Sequence, residues 1–203
     1  MLIGSGFVKI FKSQDYGFFQ DVAEQEGLSG FGFLDGDSYS IDDLGMLGQA
    51  TLQAATFKEG LRIFSSRLAS VAEGNHLWLE EGPEQSWLWC RTHGLERTDY
   101  VPDNTTILVL RTLMRLVAGP DWQPSLVHFY TKPLVKIEKF LGVDETRIEF
   151  LQEATGLAFS TELLAKRMER IRPQVRILGS MEDPPATVSA KLEAVIASLY
   201  KSR

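Results

Sequence analysis

This sequence predicts an α+β fold: a small, mainly antiparallel sheet packed with several helices, one of them central and buried. Three observations carry that reading. Residues 107–124, ILVLRTLMRLVAGPDWQP, have a helical pattern that is apolar on nearly every side before it meets Gly119-Pro120 and an Asp121-Trp122 corner. A helix apolar all round belongs at the centre of a domain. Two runs rich in tryptophan and leucine flank Gly82-Pro83-Glu84-Gln85, a turn signal, and so read as a β-hairpin. The other strand-like runs are isolated rather than arranged as regular strand–helix–strand units, which favours antiparallel pairing.

Taken in order, residues 1–12 read as a flexible start ahead of a main domain over 13–171. Ser13 caps a helix over 16–26 that Gly27 stops. Residues 28–42, rich in Gly, Ser and Asp, read as loop with a short extended piece at 31–33. Asp43 then opens a second helix, LGMLGQATLQAA. Thr56 and Glu59 form a capping box, in which side chain and backbone satisfy each other at a helix start. The third helix that follows carries Leu61, Phe64, Leu68 and Val71 at three- and four-residue steps and ends at Gly74.

The hairpin strands cover 76–81 and 86–92 and carry Trp78, Trp87 and Trp89 between Leu77, Leu79, Leu88 and Cys90. Register decides whether Trp78 shares a face with the other two tryptophans, and the pattern leaves register open. Asn104 caps the central helix over 107–118, and a strand follows over 125–131. Pro133 suits the first turn of a short helix ending at Gly142. Residues 147–150 and 157–159 are short strands, and Ser160 caps a helix, TELLAKRMERI. Pro173, Pro184 and Pro185 mark a linker over 172–186, and 187–203 holds a last amphipathic helix striped by Leu192, Val195, Ile196 and Leu199.

Composition narrows the function. Of 203 residues, 44% are hydrophobic and 24% charged, the balance of an ordinary globular chain. A formal net charge of −6 argues against a large nucleic-acid surface in these residues, because phosphate contacts need clustered Lys and Arg. A single cysteine, Cys90, allows no intrachain disulfide, and the scattered His76, His93 and His128 make no zinc-site spacing, so no metal or cofactor is expected. No apolar run reaches the roughly 18 residues that span a bilayer, and the start lacks the order of a signal peptide. A cytoplasmic protein without membrane contact is the simplest reading. No Gly-x-Ser-x-Gly elbow, P-loop, dinucleotide fingerprint or His-Glu-x-x-His is present, so no catalytic residue is assigned.

The candidate site residues are ligand contacts. Arg111 and Arg115 lie four apart, on one face of the central helix. Two readings stand: a guanidinium fork for an anionic effector, or internal ion pairs with Glu149, Glu153 or Asp121 and snorkelling at the helix edge. The hairpin tryptophans, Trp78 and Trp89 above all, read either as an aromatic pocket wall or as cover for the core beneath the sheet. His128 and Tyr130 share a face of their strand and can line the same cavity. Cys90 reads as a small buried filler.

Four segments resemble the N-terminal ligand-binding domain of AraC-type transcription regulators, in the arabinose-binding-like branch. They are LGMLGQATLQAATFKEGLRIFSSRL (44–68), the strand pair ending WLWCR (87–91), LMRLVAGPDWQPSLVHFYTK (113–132) and RIEFLQEATGLAFSTELLAKRM (147–168). The likeness covers roughly residues 14–170, and its motifs are packing and turn residues. It implies a sensor of a small-molecule effector that forms a homodimer and touches DNA only through a helix-turn-helix half beyond the linker helix at 187–203. Two other functions stay open at this point: a protein-interaction module without a small ligand, and an uncharacterised small enzyme.

Overall fold

The structure is a computed structural model, and it describes residues 20, 21, 23–25, 40–72, 74–133 and 146–168. Among these, a 3-10 turn at Ile41–Leu44 leads into α1 (Gly45–Leu52) and α2 (Phe57–Val71). The hairpin strands β1 (Asn75–Glu80) and β2 (Gln85–Thr92) follow, then the long α3 (Tyr100–Ala118). Three shorter strands, β3 (Leu126–His128), β4 (Arg147–Glu149) and β5 (Thr155–Ser160), precede a second 3-10 turn at Thr161–Ala165. The sheet runs in the order β1-β2-β5-β3-β4. Every pairing is antiparallel except β3 with β4. This is the α+β architecture the pattern predicts.

Two helices cover one face of the sheet. Phe57, Leu61, Phe64 and Leu68 of α2 and Ile107, Leu110, Leu113 and Met114 of α3 share one core with Leu77, Leu88, Val127, Leu157 and Phe159 of the strands. Fully burying such a side chain is worth about 1.5–3 kcal/mol, so this face supplies most of the fold's cohesion. The capping box at the start of α2 is real: the Glu59 N–H donates to Thr56 Oγ1 at 3.3 Å. Its return arm is displaced by one residue, since Glu59 Oε2 accepts from the Ala55 N–H at 3.0 Å.

The central helix begins earlier than the pattern indicates. Asn104 is an interior position with no exposure rather than a cap. The first turn instead holds Pro102, whose missing N–H costs nothing there. Asp99 precedes the helix and its Oδ2 accepts from the Glu96 N–H at 2.7 Å instead of capping. Gln20, on a helical piece distant in sequence, takes the cap: its Oε1 accepts from the Val101 N–H at 3.2 Å. Gly119, at φ 102, ends the helix.

Two further expectations are corrected. Asp43 lies inside the first 3-10 turn, and α1 starts after Leu44 without a side-chain cap. Ser160 caps no α-helix: the chain makes only a 3-10 turn, and Arg167 then forms an antiparallel bridge with Thr56. There the Phe57 N–H donates to Lys166 O at 2.8 Å and the Met168 N–H to Ala55 O at 3.2 Å. Those backbone bonds to another segment outweigh the local helical pattern. The segments 1–12 and 31–33, the helix expected after Pro133, the linker at 172–186 and the helix at 187–203 lie outside the described residues. No helix among the described residues is long and apolar enough to cross a membrane.

One polar contact ties the layers together. Asp103, 2% exposed on the first turns of α3, accepts from the Thr131 N–H and Thr131 Oγ1, both at 2.9 Å, and from Thr155 Oγ1 at 2.5 Å. Burial pushes its carboxyl above the usual range, and hydrogen bonds from Thr155, Thr131 and the Tyr130 backbone pull it partly back. Asp103→Ala leaves several buried donors without an acceptor, each costing about 1–3 kcal/mol. Urea denaturation is expected to show a loss of at least about 3 kcal/mol.

Candidate functional site

Side chains alternate across a strand, so the register sorts the sheet residues into two faces. Leu77, Leu88 and Leu157 point to the helices. His76, Trp78 and Glu80 of β1, Trp87, Trp89 and Arg91 of β2, Gly156 and Ala158 of β5, and His128 of β3 point the other way. Trp78 pairs with Trp89 across the hairpin, so all three tryptophans share this outer face. They are half-buried and turned away from the leucine core.

The small residues of β5 shape this face. Trp89 and Trp87 lean across β5 toward His128 on β3. A Cβ on Gly156 would sit 2.4 Å from Trp89 Cε3 and 2.8 Å from Leu88 O, so only glycine lets the indole lie that close. The rings form a near-parallel series: His76 to Trp78 at 5.3 Å, Trp78 to Trp89 at 6.3 Å, and Trp89 to Trp87 at 4.4 Å with 3° between planes. His128 closes the series, tilted against Trp87 at 4.5 Å and Trp89 at 5.5 Å. Glu80 Oε2 orients one indole by accepting from Trp89 Nε1 at 2.7 Å.

Beside the tryptophans, two guanidiniums lie over Tyr130. The Arg91 and Arg97 groups sit 4.0 and 3.8 Å from its ring centroid. Arg91 Nη1 donates to Glu153 O, and Arg97 Nη1 donates to Tyr130 O and, at 2.6 Å, to Gln152 O. Leu151, at φ 61, turns the chain just ahead of Gln152 and Glu153, which supply two of these three acceptors. The Tyr130 N–H donates to Thr155 Oγ1 at 3.0 Å, which links the ring to the Asp103 cluster.

His128 is the histidine of this face whose pKa the fold moves. His128 Nε2 lies 3.0 Å from Glu149 Oε2, an ion-pair distance without an aligned hydrogen bond, and Arg147 Nη2 holds the other carboxylate oxygen at 2.6 Å. Burial lowers the His128 pKa from its ordinary value, Glu149 raises it in part, and Arg147 lowers it further. Cys90 points to the opposite face, and burial, followed by Asp103, pushes its thiol to about 12, so it is an inert filler at neutral pH. Among the described residues no group of three or more His, Cys, Asp or Glu is placed to hold a metal ion.

Of the six sequence candidates, the fold brings Trp78, Trp89, His128 and Tyr130 together on the outer side of the sheet. Arg111 and Arg115 belong to α3, the layer on the other side. Arg111 is 3% exposed, and Arg115 Nε donates to Trp122 O at 3.2 Å, bracing the Asp-Trp corner. Trp87 was weighed with the other hairpin tryptophans, and Glu149 only as an ion-pair partner for Arg111 or Arg115; Arg91, Arg97 and Glu80 were not among the candidates. Arg91 was readable, since it sits two and four residues past Trp89 and Trp87 on one strand. Arg97 comes from the loop before α3, where no periodicity marks it.

Residues 14–168 match the family model described as the arabinose-binding domain of AraC transcription regulator, N-terminal. No curated protein matches the chain. The crystal structure of the transcriptional regulator CdpR from Pseudomonas aeruginosa is similar in fold, with a TM-score of 0.52 at 13% sequence identity. The likeness covers 67% of this chain and 45% of that one, so the chain spans less than half of that regulator.

A charged imidazole against two indoles quenches their emission. Emission from Trp87 and Trp89 is therefore expected to fall on acidification with a midpoint below the ordinary histidine value of 6.5, and His128→Gln removes that component while leaving any quenching of Trp78 by His76 in place. The linked stability has the same sign: it is full above the unfolded pKa and declines as pH drops through 6.5 toward the lower folded value.

Proposed function

The chain belongs to the family of N-terminal arabinose-binding domains of AraC transcription regulators, and from that premise we propose that it senses a small-molecule effector and reports occupancy to a DNA-binding part of the same regulator. The family points to a regulatory ligand-binding domain rather than an enzyme. The observation that carries the sensing role is the outer face. Three tryptophans, His128 and Tyr130 stand there half-buried, on the side of the sheet away from the α2–α3 core. Ligand sites have this make-up: much apolar and aromatic surface with a few fixed polar groups.

In this reading Trp78, Trp89, His128 and Tyr130 meet the effector. Arg111 and Arg115 serve the scaffold, since both are partnered and lie on the layer opposite the tryptophans. Control works by population shift. The effector binds one arrangement of the regulator more tightly and so biases how the DNA-binding parts are presented; equal affinity for two arrangements would switch nothing. Pairing of two copies gives that bias a geometric outlet, and the resemblance to AraC-type sensors supports a homodimer. The net charge of −6 fits DNA contact through another domain.

A thermal-shift screen of small metabolites tests the reading. An effector at 100 times its dissociation constant adds about 2.7 kcal/mol, which for a domain of this size raises Tm by about 5–10 °C. Trp78→Ala is expected to keep the unliganded fold and lose most of that shift, while Arg111→Gln keeps it. Equal shifts in Trp78→Ala and the parent, with loss in Arg111→Gln, would move the site to the α3 layer and overturn this assignment. Sedimentation equilibrium is expected to give twice the 22.8 kDa of one chain; a monomer at micromolar concentration removes the dimer.

A further inference from the structure

The chemistry of the outer face is directional, and that direction selects a ligand class. Along β2, Trp87, Trp89 and Arg91 occupy successive outward positions, each about 7 Å beyond the last. One end of the row is aromatic and flat, with Trp87 and Trp89 within 3° of parallel. The other end is cationic. Arg91 and Arg97 both lie over the Tyr130 ring, at 4.0 and 3.8 Å from its centroid, and each is bonded to backbone carbonyls, so both guanidiniums are restrained before any ligand arrives. Each uses only Nη1 for backbone carbonyls, and among the described residues neither has a carboxylate at ion-pair distance. Of the nearby acids, Glu80 is bonded to Trp89, Glu149 is held by His128 and Arg147, and Glu153 meets Arg91 through its backbone oxygen rather than its carboxylate.

We propose that this face binds a planar aromatic carboxylate, with its ring against the Trp87–Trp89 pair and its carboxylate on Arg91 and Arg97. The inference rests on the sensing role of the outer face argued above and names the class of effector. A guanidinium matches a carboxylate through two parallel N–H bonds. Stacking on Tyr130 lowers the ordering cost of forming them. The backbone step of roughly 7 Å from Trp89 to Arg91 along β2 suits a carboxyl group carried on the ring or on a short arm. A flat ring lies along the edges of the paired indoles more closely than a puckered ring or an alkyl chain does.

Calorimetric titration of the full chain with 2-naphthoate, 2-naphthamide and cyclohexanecarboxylate tests this directly. The naphthoate is expected to bind at least tenfold more tightly than either of the others and to weaken as salt rises. Arg91→Gln brings naphthoate to the level of the amide and leaves the amide unchanged. Should Arg91→Gln fail to fold, Arg97→Gln makes the same comparison, and the acid-to-amide ratio in the parent needs no variant at all. Equal affinity for acid and amide, or unchanged naphthoate binding in both variants, overturns the proposal. The sensing role fails separately. A neutral or cationic metabolite that stabilises the parent but not Trp78→Ala keeps the sensor and refutes the carboxylate, whereas no stabilising metabolite together with no naphthoate binding removes both.

Discussion

The buried carboxylate of Asp103 is the joint on which the arrangement turns. It projects from the first turns of α3, yet its partners belong to the sheet layer: Thr131 just past β3 and Thr155 at the start of β5. Apolar packing alone sets how closely α3 approaches the sheet but allows it to slide, because hydrophobic attraction has no direction. Hydrogen bonds to one carboxylate do have direction, and they fix the helix along the strands. The same Thr155 hydroxyl accepts the Tyr130 N–H. The position of the Tyr130 ring, and with it the stacking of Arg91 and Arg97, therefore descends from a contact on the opposite side of the sheet.

The two faces answer to one constraint, the pleat. A hairpin that pairs Trp78 with Trp89 and Leu77 with Cys90 must send all its tryptophans one way and its leucines the other. The leucine face meets helices. The tryptophan face would be crowded if β5 carried large outward residues, and it carries Gly156 and Ala158 instead. Small residues in the middle strand let large ones on β2 reach across to β3. Volume is conserved over the face as a whole rather than strand by strand, in keeping with the close packing of protein interiors.

What the sequence revealed follows from how local each signal is. The α2 capping box, the hairpin turn and the buried central helix depend on residues within a few positions of one another, and all three were readable. The cap of α3 was not, because Gln20 lies 81 residues before Val101; Asn104 offered a nearer candidate and was buried instead. The helix expected after Ser160 yields to backbone bonds with residues 55–57, again a distant partner. At the site, alternation correctly grouped His128 with Tyr130, but one missing quantity, the hairpin register, separated a tryptophan wall from tryptophan core. Arg111 and Arg115 drew attention as charges in an apolar helix. Arg91 and Arg97, less conspicuous in ordinary polar surroundings, lie beside the aromatic face.

The titration of two groups on opposite faces shows how differently burial acts by charge type. Desolvation disfavours the ionised form, so it raises Asp103 and lowers His128. For Asp103 the folded chain holds its proton to higher pH than the unfolded chain does. Stability tied to it grows as pH falls through the raised folded value, and it is complete below the unfolded value of about 3.8. For His128 the unfolded chain takes the proton first, so stability tied to it declines as pH falls below 6.5. The two slopes oppose each other wherever their ranges overlap. Protonation of the imidazole thus works against the folded state on the outer face, while protonation of Asp103 works for it beneath the sheet.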